Sequence, residues 1–330
     1  MVRFGILGAG NIAHRFAASL AHEPRAHLVA AACRTKSKAE EFLGAVAHAQ
    51  YASAYGNYDE LLANPSIDAI YLALPHAHHR EWAIQALMAG KAVLCEKPAM
   101  VSAAQMSEVA SVARSQGLLF MEAMKPRFTP LYRRVLLALH RIDPIVRVEA
   151  TLCNDMLDFV EAQGSYHMTP GPGAGVLLDC GTYCASWVCA FCPGELELVS
   201  IADKHKNGID VYVDAELTNG LVTARLECAF DRAKPRTATL VGKGGSIVVE
   251  ELHRPERATL YMSGGQPQKL YAPYEVDDFF GEIRHFVDLM ETGSTESPVM
   301  PLDDSVSCAA TLDLVRSSFV TSLVENAPLA

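Results

Sequence analysis

The sequence predicts an α/β chain in which a doubly wound parallel sheet is followed by an α+β region built on a large, mainly antiparallel sheet. Three observations carry this reading. Short apolar runs alternate with helical patterns over residues 1–124, the pattern of parallel strands joined by helical crossovers. From Ile145 onward, strand-like runs follow one another with turn residues rather than helices between them. The chain has 330 residues, 50% of them hydrophobic, enough for two domains with cores of their own, drawn here as 1–124 and 125–330.

The first strand spans Met1 to Leu7 and runs into Gly8-Ala9-Gly10-Asn11-Ile12-Ala13, which fits the pattern GxGxxG/A. Gly8 permits a tight turn, Gly10 lets backbone approach a pyrophosphate, and Asn11 and Ile12 open a helix, Asn11 to Ala21, whose N-terminus suits an anion. A strand before and an amphipathic helix after supply the context that a bare glycine pattern lacks, so a Rossmann dinucleotide site is expected. The second strand, His27 to Cys33, ends in Arg34-Thr35-Lys36-Ser37, with no carboxylate until Glu40. NAD sites usually place an acid there for the ribose hydroxyls. Arg34 offers instead a planar cation to a 2′-phosphate, with Thr35, Ser37 and Lys36 or Lys38 as further donors. NADP(H) is therefore the expected cofactor, with NAD(H) second; solvated loop charges are the plainer alternative.

The strand Ile67 to Leu74 leads into Pro75-His76-Ala77-His78-His79 and the helix Arg80 to Ala89. The spacing HxHH, with no Asp, Glu or Cys nearby, is poor geometry for a dedicated metal site, so contacts to cofactor or to loop backbone are expected. The next strand, Ala92 to Cys95, ends in Glu96-Lys97-Pro98, which puts Lys97 at the C-terminal edge of the sheet, where open α/β sheets bind ligands. Desolvation there is expected to lower the Lys97 ammonium pKa, and Glu96, on the opposite face of the strand, to support the turn. The helix Ala103 to Gln116 and the strand Leu118 to Met121 complete this half.

In the second half the expected strands are Val146 to Leu152, Leu196 to Ala202, Val211 to Leu217, Val222 to Ala229, Thr237 to Val241, Ser246 to Val249 and Ala258 to Met262. Helices are expected over Glu275 to Glu291 and Asp303 to Leu323. The glycine-rich run Gly171 to Gly175 leads to Asp179 and Tyr183, which share one face at i and i+4 if a helix starts near Asp179. A carboxylate and a phenol converging on Lys97 would form a proton-handling set for alcohol and carbonyl chemistry; a helix N-cap and a core aromatic are the alternatives for the two residues.

Nine cysteines, mostly in apolar surroundings, read as reduced thiols, and the CxxC of Cys189 and Cys192 sits in an apolar helix rather than a metal site. A formal charge of −10 argues against nucleic acid as a partner. No apolar run approaches the roughly 20 residues of a membrane span, and the first strand stands where a signal peptide would. A cytoplasmic enzyme acting on a small molecule is expected.

Taken together, Gly8 to Ala13, Pro75 to His79, Glu96-Lys97-Pro98, Met121-Glu122-Ala123 with Arg127-Phe128 and Pro130, and Gly173 to Tyr183 resemble the glucose-fructose oxidoreductase, inositol dehydrogenase and MocA (Gfo/Idh/MocA) family across nearly the whole chain. The run Met121 to Pro130 is most similar to the branch of dimeric dihydrodiol dehydrogenases and xylose dehydrogenases, although Lys125-Pro126 stands where that branch often has Trp or Tyr. The resemblance implies hydride exchange at nicotinamide C4 with a sugar, polyol or trans-dihydrodiol. It puts the catalytic lysine at Lys97, the acid/base position at Tyr183 and a substrate-orienting carboxylate at Asp179. Leu74, Pro75, His76, His79, Glu96 and Arg127 fall on the cofactor side. The family also implies an open-faced C-terminal sheet used for association into dimers or tetramers. Either Tyr183, its pKa lowered by Lys97 and the oxidised nicotinamide, or Lys97 itself carries the proton; the residues alone do not separate the two. Two other functions fit the same motifs: a glycoside hydrolase working through a captive NAD by transient oxidation and elimination, and a non-catalytic dinucleotide sensor.

Overall fold

The computed structural model describes residues 1–319. Its first sheet is built from β1 (Val2–Leu7), β2 (Ala26–Ala32), β3 (Ser53–Tyr55), β4 (Ala69–Leu72), β5 (Ala92–Glu96) and β6 (Phe120–Ala123). All are parallel, in the order β3-β2-β1-β4-β5-β6. The crossovers run through α1 (Asn11–Leu20), α2 (Lys36–Ala45), α3 (Tyr58–Leu62), α4 (His79–Met88) and α5 (Ala103–Gln116). Helices on both faces explain why β4 and β5 are buried at every residue and read as unbroken apolar runs. The strand order reverses between β1 and β4, which opens a crevice at their C-terminal ends.

The chain then forms α6 (Pro130–Ala138), β7 (Ile145–Cys153), α7 (Leu157–Ala162) and α8 (Thr182–Phe191), followed by seven strands. These are β8 (Glu197–Lys206), β9 (Ile209–Thr218), β10 (Thr223–Ala229), β11 (Thr237–Gly242), β12 (Gly245–Glu250), β13 (Arg257–Met262) and β14 (Gln268–Tyr271), and α9 (Phe280–Thr292) and α10 (Leu302–Ser317) close the described chain. The second sheet has eight strands, ordered β14-β13-β12-β11-β7-β10-β9-β8, antiparallel except where β7 pairs with β10. β9 shows its two faces in its alternation. Val211, Val213, Ala215 and Leu217 are buried, whereas Tyr212, Asp214 and Glu216 face a polar surface. There Glu216 binds Arg147 of β7 and Asp214 binds Arg225 of β10. The inner face packs on α8, whose buried Trp187 donates its indole N–H to the Leu252 carbonyl at 3.0 Å.

Two helix boundaries differ from the sequence reading. The Asp277 carboxylate takes the amides of Phe279 and Phe280 at 2.9 and 3.1 Å, so α9 starts there rather than at Glu275. α10 ends at Ser317, and the expected continuation to Leu323 runs beyond the described residues. The short elements β3, α3, α6, α7 and β14 lacked a periodic signal long enough to read. No helix among the described residues is long and apolar enough to cross a membrane.

Candidate active site

A cavity of about 1100 Å³ opens at the C-terminal edge of the first sheet and extends to Tyr166, His167 and Asp179. Its floor is the turn from β1 to α1. Gly8 adopts φ 94°, and a Cβ there would lie 2.5 Å from the Ala73 carbonyl oxygen. A Cβ on Gly10 would meet nothing within 4 Å, because that position looks into open space. No side chain caps α1, so its first-turn amides, those of Asn11 and Ile12 among them, are left for a ligand on this wall. An uncapped helix N-terminus beside a residue without a side chain fits the pyrophosphate of a dinucleotide.

At the far end of that floor, Arg34 and Lys38 stand on the wall together with Glu41. Thr35 does not; it is an exposed position at the start of α2, 3.3 Å from the Ser37 hydroxyl. Tyr58 and Trp82, edge to face at 4.8 Å, form an aromatic patch on the same wall that the sequence reading missed. Trp82 is one of two tryptophans in the chain, which was the available signal.

Leu74, Pro75, His76 and Glu96 line the cavity, but His79 and Arg127 do not. His79 is fully buried. Its Nε2 lies 2.7 Å from the Leu74 carbonyl and its Nδ1 3.1 Å from that of Pro98, so it ties the loop after β4 to the turn after β5. Arg127 donates to the Ser186 hydroxyl and carbonyl at 2.9 and 3.0 Å and pairs with Asp304, which clamps α8 to α10. Both hold walls in place instead of facing a cofactor. Glu96 accepts from the Tyr71 hydroxyl, and burial raises its pKa.

Lys97 and Asp179 meet on the wall. Lys97 Nζ donates to Asp179 Oδ1 at 2.7 Å and to the Asp179 carbonyl at 2.9 Å. Asp179 lies in a π-helical turn, Leu177–Gly181, that precedes α8. Such a wide turn breaks the regular backbone ladder and frees carbonyls. Asp210 anchors it by accepting the Leu177 amide at 2.7 Å. Tyr183 adjoins the pair through Lys97, whose Nζ stands 4.7 Å from the ring centroid, and lies off the cavity wall itself. The Tyr183 hydroxyl makes no hydrogen bond among the described residues.

The electrostatics correct the sequence reading on two counts. Burial does press Lys97 downward, but the Asp179 carboxylate and the Tyr183 phenol outweigh it and hold the ammonium well above its usual range. Burial likewise pushes the Tyr183 phenol up, against the pull of Lys97, so it is a neutral donor rather than a ready phenolate. Asp179, for which burial alone would raise the pKa, is held below the ordinary carboxylate range chiefly by Lys97. The sign of each contribution follows. The depressed Asp179 adds stability above about pH 4, lost as the pH falls below that value, and the raised Lys97 adds stability that persists beyond about pH 10. The pair is therefore charged across the neutral range, and kcat/KM is expected to show no ionisation from either residue between about pH 5 and 9. An ionisation near neutrality that vanishes in Asp179→Asn would contradict this.

Tyr166 and His167 complete this end of the cavity, and nothing in the sequence pattern singled them out. His167 Nε2 stands 3.9 Å from Asp179 Oδ1, and burial keeps its ring below its usual pKa. Among the described residues, no group of three or more His, Cys, Asp or Glu is arranged to hold a metal ion. Cys189 lies 3.3 Å from the Thr311 hydroxyl, and every cysteine is a free thiol.

Residues 2–124 match the oxidoreductase family with an NAD-binding Rossmann fold. Over 96% of both sequences the chain is 30% identical to scyllo-inositol 2-dehydrogenase (NADP(+)) of Bacillus subtilis. The chain belongs to the Gfo/Idh/MocA oxidoreductase family. With trans-1,2-dihydrobenzene-1,2-diol dehydrogenase of Mus musculus this member shares 32% identity, again over 96% of each sequence. A 3-ketoreductase from Actinomadura kijaniata, solved with NADP and TDP-benzene, superposes with a TM-score of 0.84 at 28% identity, covering 96% of this chain and 97% of that one. These relatives are oxidoreductases acting on alcohol, diol or ketone groups, and this chain is an oxidoreductase of the same family.

Proposed function

We propose that the chain is an NADP(H)-preferring dehydrogenase or reductase that exchanges a hydride with a secondary alcohol or carbonyl carbon of a small polyhydroxylated substrate, a sugar, a cyclitol or a trans-dihydrodiol. The observation that carries this is a charged Lys97 and Asp179 pair beside a neutral phenol, on the same cavity as an uncapped glycine turn. The nicotinamide, when bound, supplies or accepts the hydride. Gly8, Gly10, Asn11 and Ile12 hold the pyrophosphate, and Leu74, Pro75, His76 and Glu96 line its course toward Lys97. Residues 1–124 bind the dinucleotide, and the second half supplies the substrate wall through Tyr166, His167 and Asp179.

In the reductive direction Tyr183 donates the proton to the developing alkoxide, and in the oxidative direction its oxygen takes one. Lys97 remains an ammonium throughout. It faces the same oxygen with a fixed positive charge, which stabilises alkoxide character without transferring its own proton. Neutralising it would strand the Asp179 carboxylate in a buried site, and this supports Tyr183 as the proton carrier. Asp179 fixes the Lys97 head group.

For cofactor choice, Arg34 and Lys38 fit a 2′-phosphate, and the inositol dehydrogenase and the ketoreductase compared above are respectively named for NADP and solved with it. A charge-assisted contact contributes about 1.5–3 kcal/mol. Arg34→Ala is therefore expected to lower the ratio of kcat/KM for NADP over NAD by about 10- to 100-fold. An unchanged ratio removes the NADP preference from the account. Nine free thiols suit a reducing compartment such as the cytoplasm. The polar face of the eight-stranded sheet is the surface proposed for association into dimers or tetramers, and light scattering tests it directly.

A further inference from the structure

A second cavity of about 10 Å³, room for about one water, lies in the seam between the two halves of the chain. It shares no lining residue with the dinucleotide cavity. Ala99 in the turn after β5, Glu122 on β6, Thr182 at the start of α8 and Ser305 on α10 meet on its walls. The three polar side chains are buried, with Glu122 and Ser305 3% and Thr182 1% exposed. The remaining walls, Met100 and Leu312 among them, offer no hydrogen-bonding side chain to these groups.

Two of these residues each bury a polar atom that has no partner among the described residues. Glu122 Oε1 accepts the Ala99 amide at 2.9 Å, which leaves Oε2 buried and unpaired. Thr182 Oγ1 is buried and unpaired as well. Burial raises the Glu122 pKa, and the Ala99 amide and the neighbouring Ser305 hydroxyl oppose it. Unpaired polar atoms in such a place are costly, and immobilising one water costs less than leaving two of them unmet. A polar cavity of this size, with a carboxyl and two hydroxyls on its walls, has the room and the partners that an internal water needs.

The seam joins the two strands of backbone on which the proposed chemistry depends. Glu122 is tied to Ala99, two residues beyond Lys97, and the same turn is held by His79, whose Nδ1 lies 3.1 and 3.2 Å from the Pro98 and Ala99 carbonyls. Thr182 directly follows the π-helical turn that contains Asp179 and directly precedes Tyr183. We propose that the cavity binds a single internal water between Glu122 Oε2 and the Thr182 hydroxyl. Through that water Glu122 and Thr182 act as positioning residues, fixing the Lys97 turn against the start of α8 and so Lys97 against Tyr183. The positioning role rests on the functional reading above; the water site does not.

The test is Thr182→Val, which keeps the shape of the side chain and removes its hydroxyl, with Thr182→Ser as the rescue. If the cavity holds water, valine strands the water and Glu122 Oε2 and the melting temperature falls; in a dry cavity valine removes a buried unpaired hydroxyl and the protein melts at the same temperature or higher. A crystal structure of the wild-type protein that resolves internal waters should show one between Glu122 and Thr182, and a cavity without it overturns the site. Well below the melting transition, Thr182→Val is expected to lower kcat about tenfold with KM for NADP little changed, and to enlarge the isotope effect with a substrate deuterated at the carbinol carbon. Thr182→Ser should restore both. A water in the crystal together with wild-type kcat and isotope effect in Thr182→Val overturns the positioning role. A wild-type protein that exchanges hydride with no alcohol removes the functional reading and that role with it, while the crystal and the melts still decide the water site.

Discussion

Lys97→Met is expected to lower turnover by about 10²–10³-fold while dinucleotide binding persists. Methionine keeps the length of the side chain and removes its charge, so the substrate oxygen loses its fixed cation and Asp179 loses the partner at 2.7 Å that holds it ionised. Breaking a fully buried ion pair costs about 3–5 kcal/mol. With 12% and 22% of the two side chains exposed, solvent screens this pair and the cost falls toward the lower end or below it. Steady-state rates, a titration with reduced cofactor and a thermal melt separate the three effects. Turnover retained above roughly a few per cent would contradict the assignment of Lys97 to the reacting oxygen.

Tyr183→Phe should cost about 10²–10⁴-fold in turnover with the melting temperature unchanged. The hydroxyl has no protein partner among the described residues, and the ring that faces Lys97 Nζ at 4.7 Å remains. A large loss of rate without loss of stability is the signature of a group that works on substrate. A near wild-type rate would move the proton to a group on the cavity wall itself.

The sequence disclosed those parts of the site whose position depends on neighbours in the chain. The turn at Gly8 and Gly10 and the end of β5 at Lys97 are local, and periodicity places them, whereas Asp179 lies in a π-helical turn ahead of α8 and not on one regular helix with Tyr183. What it could not disclose depends on distant partners. Lys97 reads as a desolvated amine until Asp179, 82 residues away, is set against it, and then the shift changes sign. Arg127 reads as a ligand-facing cation until Asp304, 177 residues on, claims it. Tyr166 and His167 sit in a turn without strand or helix periodicity, and only the fold-back of the glycine-rich loop brings them to His76 and Asp179. The two sheets were readable because alternation and unbroken apolar runs are imposed by burial on one face or two, as β9 and β4 illustrate. A three-residue strand such as β3 carries too few residues to show either pattern.

The most direct test of hydride exchange is to supply oxidised NADP together with a panel of inositols, aldoses and trans-dihydrodiols carrying deuterium at the carbinol carbon, and to look for the label in the reduced cofactor by NMR. The account predicts deuterium at nicotinamide C4, with the signal lost in Lys97→Met. Release of a cleaved sugar from a glycoside with the cofactor returned unlabelled, or no label from any panel member with either NADP or NAD, would contradict it.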